Sequence, residues 1–326
     1  MIRSRPLIAA LLIAPISAQV SAQAQSYPVR PVTMVVAAAA GGPIDAFARI
    51  MAERMSVVVG ERIVVENVGG GGGTLGGQRV ARADPDGYTT LLGTVATHAN
   101  PLLYGDKRPY DPIRDFEPVV LMAEIPLILI ARKDLPANTI EEFVAYARAR
   151  PGKLNYGSAG VGSAAHLGCV MLGQAMGARF QHVPYRGTGP AMQDLIAGRL
   201  DFMCDIAVSA VQSLKNQTAK PLANLSSTRS PALPDLPTAA EKGLPVAVST
   251  WTALFVPKGT AAPVVARLHG AAIAAMDGPG LRAQLDALAT TLVAPERRTP
   301  AYAAEFVKAE WDKWGAALRA GRARPQ

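Results

Sequence analysis

From Pro31 the chain runs through Val32, Met34, Val35 and Val36 to Ala40 with only Thr33 interrupting, and such an apolar run predicts a strand buried on both faces. Gly41-Gly42-Pro43 then turns the chain. Phe47, Ile50, Met51 and Met55 follow at helical spacing and predict a helix from Ile44 to Val59. A second strand at Ile63-Val64-Val65 leads into the glycine run Gly69 to Gly73, a helix over Leu75 to Ala83 and a third strand over Thr89 to Gly93. Strand, loop, helix, strand in repeated order implies parallel strands with crossover helices, the α/β class.

The same rhythm resumes further along, with strands at Leu127 to Ala131, Leu154 to Gly157, Phe180 to Val183 and Asp201 to Cys204, and helices over Ile140 to Ala149, Ala164 to Met176 and Pro190 to Ala197 between them. These make a second α/β unit. From Trp251 there is one strand, Thr252 to Val256, and then helices over Pro263 to Met276, Gly280 to Leu288 and Pro300 to Leu318. That stretch lacks the strands for its own sheet and is expected to return to the first unit.

A length of 326 residues suits two lobes, and 49% apolar with 18% charged residues excludes a disordered or collagen-like chain. The first 24 residues differ: Arg3 and Arg5, an apolar stretch from Pro6 to Ile16, then Ala22-Gln23-Ala24. This is the layout of a secretory signal peptide cleaved after Ala24. Pro15, Ser17 and Gln19 cut the run short of the roughly 20 apolar residues that a membrane anchor needs. The mature chain is therefore expected in an extracytoplasmic space. Loss of Arg3 and Arg5 lowers the formal net charge from +8 to +6. The remaining cations are scattered, apart from Arg297-Arg298 and the Arg319 to Arg324 tail, and no basic stripe interleaves with aromatics, so nucleic acid is not an expected partner.

Cys169 and Cys204 can form at most one bridge. Both sit in apolar company, one in a predicted helix and one in a predicted strand, and two buried free thiols are the expectation. His98, His166, His182 and His269 are dispersed, without the spacing of a metal site. Gly71-x-Gly73-x-x-Gly76 matches the dinucleotide fingerprint, but consecutive glycines match it by chance in several registers, and the acidic residue that should hold a ribose about 20 positions on is missing. No cofactor is expected.

Two strand-to-helix loops are more informative. Gly41-Gly42-Pro43-Ile44-Asp45 and Gly157-Ser158-Ala159-Gly160-Val161-Gly162-Ser163 each leave backbone N–H groups unpaired at a helix start, among small residues that let an anion approach. A carboxylate suits such donors. Plain capping by Ser163 and Pro43 accounts for the same residues without a ligand. Ser158 or Ser163 with His166 also raises the alternative of an exported serine hydrolase, although no Gly-x-Ser-x-Gly elbow occurs and Ser163 and His166 share one helical turn. Asp205 closes a strand at the end where α/β sheets bind ligands.

Several strings now fall into a known order. Tyr27-Pro28-Val29-Arg30-Pro31, Gly41-Gly42-Pro43-Ile44-Asp45 with Ala48-Arg49, Val64-Val65-Glu66-Asn67, and Ala83-Asp84-Pro85-Asp86-Gly87-Tyr88 come first. Asn155 to Ser163 with His166-Leu167, Val183-Pro184-Tyr185-Arg186-Gly187, Leu233-Pro234-Asp235-Leu236-Pro237-Thr238 and Glu241-Lys242-Gly243-Leu244-Pro245 follow. In this the chain resembles the periplasmic receptors of the tripartite tricarboxylate transporter family, the Bug-type solute-binding proteins, over residues 27 to about 315.

The resemblance implies an α/β type II periplasmic binding protein, two lobes joined by two crossover segments with a ligand cleft between them. Lobe one would be 27–124 plus 251–326, and lobe two 125–250. It implies a periplasmic receptor that binds a small organic carboxylate, performs no chemistry, and docks on membrane transporter subunits; a sensor kinase is a third reading of the docking partner, and a monomer suits a protein that must hinge and dock. By similarity the ligand shell would hold Gly41, Gly42, Asp45, Thr94, Thr97, His98, Asn100, Ser158, Gly160, Gly162, Ser163, His166, Thr188 and Asp205. The family's first loop carries an aromatic residue and a proline where this chain has Ala37 to Ala40. That smaller wall predicts a guest bulkier than a four-carbon diacid.

Overall fold

The structure is a computed structural model and describes residues 27–286 and 288–320. The predicted signal peptide, residues 1–24, lies outside the described residues. β1 (Val32–Val36) runs parallel between β2 (Ile63–Asn67) and β3 (Thr89–Thr94). Helices α1 (Pro43–Val59) and α2 (Thr74–Ala81) make the crossovers. α1 buries Phe47, Ala48, Met51, Ala52 and Met55, the stripe its spacing predicted, and ends where Gly60 takes a φ of 84° and returns its N–H to Ser56 O. β1 stops before the predicted Ala40 because the chain from Ala37 leaves the ladder to form the loop into α1, and alanines read as apolar in either conformation.

After β3 come the short helix α3 (Val95–Ala99) and β4 (Phe116–Arg132). β4 has 17 residues where the sequence predicts only Leu127 to Ala131, since Pro118 and Pro126 read as strand breakers. Both are accommodated. The register against β9 (Ser249–Pro257) shifts beside Pro118, and Pro126 is the last residue paired with β9 before Leu127 takes up β7 (Phe202–Ile206). β4 thus changes neighbours midway. Its first part also pairs with β10 (Thr291–Leu292), and its second with β8 (Ala219–Asn224). β5 (Asn155–Ser158) lies parallel between β7 and β6 (Gln181–Pro184). Among the described residues the order is β2-β1-β3-β9-β4-β7-β5-β6, with β10 and β8 pairing to β4 off that path.

Two α/β lobes result, joined by β4 and by the return from β8 to β9. Helices α4 (Ile140–Arg148), α5 (Ala164–Met176), α6 (Thr188–Ile196) and α7 (Ala207–Lys215) belong to the second. α8 (Ala262–Met276), α9 (Leu281–Asp286) and α10 (Pro300–Ala320) follow β9, and α8 packs on α1 and β4 of the first. Trp251 and Trp314 both donate to Glu310 Oε2, at 3.0 and 2.6 Å, which pins α10 to β9. No helix among the described residues is long and apolar enough to cross a membrane.

The expectation of two free thiols is corrected. Cys169 and Cys204 form a disulfide with their Cα atoms 5.5 Å apart. α5 packs directly on β7 and brings the two side chains face to face, an arrangement that apolar surroundings alone do not exclude.

Candidate ligand-binding cleft

Between the lobes lies a cavity of about 160 Å³. Ala37, Ala38, Ile44, Thr94 and Ala96 wall it on one side, Ser163, Ala164 and Ile206 on the other, and Thr250 of β9 lies between. None of these side chains ionises. Two helix starts bring their first turns to it: Ile44 lies in the first turn of α1 and Ala164 opens α5. Gly76 lets α2 lie close behind the alanine wall, since a Cβ there would fall 2.6 Å from that of Ala37.

The first loop is held by Asp45. Its Oδ2 accepts the Gly41 N–H at 2.8 Å and Arg49 Nε at 3.0 Å, while Oδ1 accepts Asn67 Nδ2 at 2.9 Å. Asn67 Nδ2 also reaches Ala38 O at 3.3 Å. Burial alone would raise the Asp45 pKa, but these hydrogen bonds and the Arg49 charge outweigh it and hold the carboxyl below its ordinary value. Asp45 therefore braces the loop from behind. With Gly41 committed to Asp45 and Pro43 lacking an N–H, the N–H groups of Gly42, Ile44 and Asp45 are the donors without a protein acceptor among the described residues.

The second loop is equally tied. Ser163 Oγ donates to Gly160 O at 2.7 Å and caps α5 by accepting the His166 N–H at 3.2 Å. Ser158, fully buried, accepts the Gly160 N–H at 3.1 Å and lies 2.6 Å from His182 Nε2. His166 Nδ1 accepts the Gly162 N–H at 3.1 Å, and its ring stacks on His182 with centroids 4.1 Å apart. Burial, reinforced by His182, pushes His166 down to about 3, and burial takes His182 to about 4, so both rings are neutral at physiological pH. His166 thus faces a backbone amide rather than either serine hydroxyl, and the geometry of a serine hydrolase using that histidine is absent.

Of the predicted residues, Thr94 and Ser163 line the cavity, and Gly41, Gly42, Gly160 and Gly162 shape its two loops. Thr97 is buried and accepts the Thr94 N–H at 2.9 Å on Oγ1. His98 packs among Phe255, Trp251 and Phe116 with centroids 4.6, 5.1 and 6.0 Å away, and burial lowers it to about 3. Asn100 is buried beside the glycine run, Thr188 opens α6 half-exposed outside the lining, and Asp205 is buried with its carboxylate on Ile206 N–H and Ser209 Oγ. Ala96, within the expected segment Thr94 to Asn100, lines the cavity, while sequence reasoning passed over Ile206, Thr250 and the bracing Asn67. Their one signal was adjacency to a strand end, because an apolar wall carries no chemistry to recognise.

Two α/β lobes sharing crossover strands, with a small cavity between facing helix starts, define a solute-binding protein. The chain matches the tripartite tricarboxylate transporter family receptor over residues 47–321 and belongs to that family. It is similar to MatC of Rhodopseudomonas palustris, solved with bound malate, at 41% identity and a TM-score of 0.80, covering 90% of this chain and 100% of that one. The periplasmic binding protein BugD is 39% identical with a TM-score of 0.79 over 91% of this chain and 100% of its own. Rpa4515 of R. palustris, solved with adipate, is 32% identical with a TM-score of 0.81 over 92% of this chain and 100% of its own.

Proposed function

We propose that this protein is a periplasmic receptor that captures a small organic carboxylate by lobe closure and presents it to the membrane subunits of a tripartite tricarboxylate-type transporter, without chemical turnover. The observation that carries the reading is a cavity with no ionisable side chain, lined from both lobes and approached by N–H groups at the start of α1 that have no protein acceptor among the described residues. A carboxylate placed there meets amide donors and a helix dipole, worth up to about 2 kcal/mol per helix when partly buried. The malate and adipate held by the two relatives support that ligand class. Residues 27–124 with 251–326 and residues 125–250 serve as the two lobes, a division supported by the exchange of strand partners between Pro126 and Leu127. Export with loss of residues 1–24 places the receptor in the periplasm.

The cavity has room for about five waters. Ala37 and Ala38 lie in its wall, which supports a guest longer than a four-carbon diacid. The test is a thermal-shift screen of residues 25–326, unfolded and refolded to remove any resident ligand, against succinate, malate, adipate, citrate, acidic amino acids and aromatic acids. A ligand at about 100 times its Kd adds about 2.7 kcal/mol and raises Tm by about 4 °C at this size. Adipate is expected to outrank succinate. A succinate preference overturns the size reading, and silence across the panel together with hydrolysis of an ester panel overturns the receptor reading.

A further inference from the structure

Asn100 lies outside the cavity lining, yet it is 1% exposed and its Oδ1 has no hydrogen-bond partner among the described residues. Its Nδ2 donates to Gly72 O in the glycine run of lobe one. Its Oδ1 faces Gly162 in lobe two, where an added Cβ would fall 1.6 Å from that oxygen. A Cβ added at Gly72 would fall 2.1 Å from Nδ2 and 3.6 Å from Val161 O. The amide therefore fills the seam where the two lobes meet, and both residues flanking it lack a side chain.

We propose that Asn100 is a closure stop, a positioning residue that is anchored to lobe one through Gly72 and seats against Gly162 of lobe two when the cleft is shut, setting how closely the lobes approach. The proposal rests on the receptor reading, since it gives the seam a role in limiting closure of the cleft. The closed seam is one hydrogen bond short, because Oδ1 loses water without gaining a donor. Parting the lobes returns water to that oxygen, so the same side chain that registers closure also favours release.

The test follows the distance between spin labels on Val57→Cys in lobe one and Ile196→Cys in lobe two, both exposed, with the native disulfide intact. Wild type, Gly162→Ala, Asn100→Ala and the double variant are compared without ligand, with excess malate and with excess adipate. Gly162→Ala is expected to move the population from the short distance to a longer one by about tenfold in ratio. Asn100→Ala in the same chain should restore the short distance by making room for the methyl, which strain at the positive φ of residue 162 alone would not do. Asn100→Ala alone is expected to keep the short distance, and its opening to the extent of Gly162→Ala overturns the stop. A double variant as open as Gly162→Ala overturns it too, as does a wild type no more closed than Gly162→Ala in every condition. Neither acid shifting the wild type counts against the carboxylate reading, while the stop is still decided by the ligand-free distributions.

Discussion

Asp205 is a fully buried carboxylate whose hydrogen-bond donors are the Ile206 N–H and Ser209 Oγ, with no ion-pair partner among the described residues. Burial pushes its pKa up to about 6, and the two hydrogen bonds pull it only partway back. The folded pKa then lies above the value of about 3.9 expected in the unfolded chain, so the folded state keeps a proton that the unfolded state has lost. Stability is unaffected below pH ~4, falls as pH rises towards 6, and stays lower by about 3 kcal/mol above it. Asp205→Asn keeps the shape and an acceptor but removes the titration, so it is expected to match wild type at pH ~4 and exceed it by up to that amount at pH ~7. Urea midpoints at the two pH values check this, and an unchanged difference rejects it. Asp45 has the opposite sign: its pKa is lowered, so its contribution is present above the unfolded value and lost as pH falls through the folded one. The local sequence separates these two aspartates only in part, by Arg49 four positions after Asp45 where Ser209 follows Asp205, since Asn67, which also helps hold Asp45, lies 22 positions away.

At the scale of elements, the disulfide joins the two that form lobe two's wall of the cavity. Ser163 and Ala164 open α5, which carries Cys169, and Ile206 ends β7, which carries Cys204. A bridge across 35 positions restricts the unfolded chain by about 3–4 kcal/mol, and the oxidising periplasm lets it persist. Cys169→Ala with Cys204→Ala, or full reduction, is expected to lower unfolding stability by about that amount and to weaken ligand affinity by letting α5 shift against β7. Urea titrations with and without reductant, with thiols counted, check it; equal midpoints for the bonded and reduced protein count against it. α1 and α5 were legible from sequence because apolar spacing and turn residues agree at their starts. β4 was only part legible, since its two prolines signal breaks that the change of strand partner absorbs, and β8 was missed because Lys220 and Pro221 interrupt a short apolar pattern.

For the whole molecule, the division into lobes is not a division of the core. One contiguous apolar cluster runs from Phe47, Leu92 and Trp251 of lobe one through Leu127 and Leu129 of β4 to Phe143, Leu172 and Phe202 of lobe two. The second cluster, around Ile128, Leu195 and Met203 on β4, α6 and β7, lies in lobe two apart from Ala289 of the C-terminal return. Because β4 is unbroken from one sheet to the other and α10 of the C-terminal return touches α5, unfolding either lobe exposes apolar surface of its neighbour. A single cooperative transition is therefore expected in the ligand-free mature protein, with calorimetric and van't Hoff enthalpies equal. Two resolved transitions in differential scanning calorimetry would reject it and make the lobes independent folding units. That outcome matters for the mechanism, because a shared core restricts closure to bending at the two crossings, near Pro126 and Ser249, whereas independent lobes could also open the cleft by local unfolding.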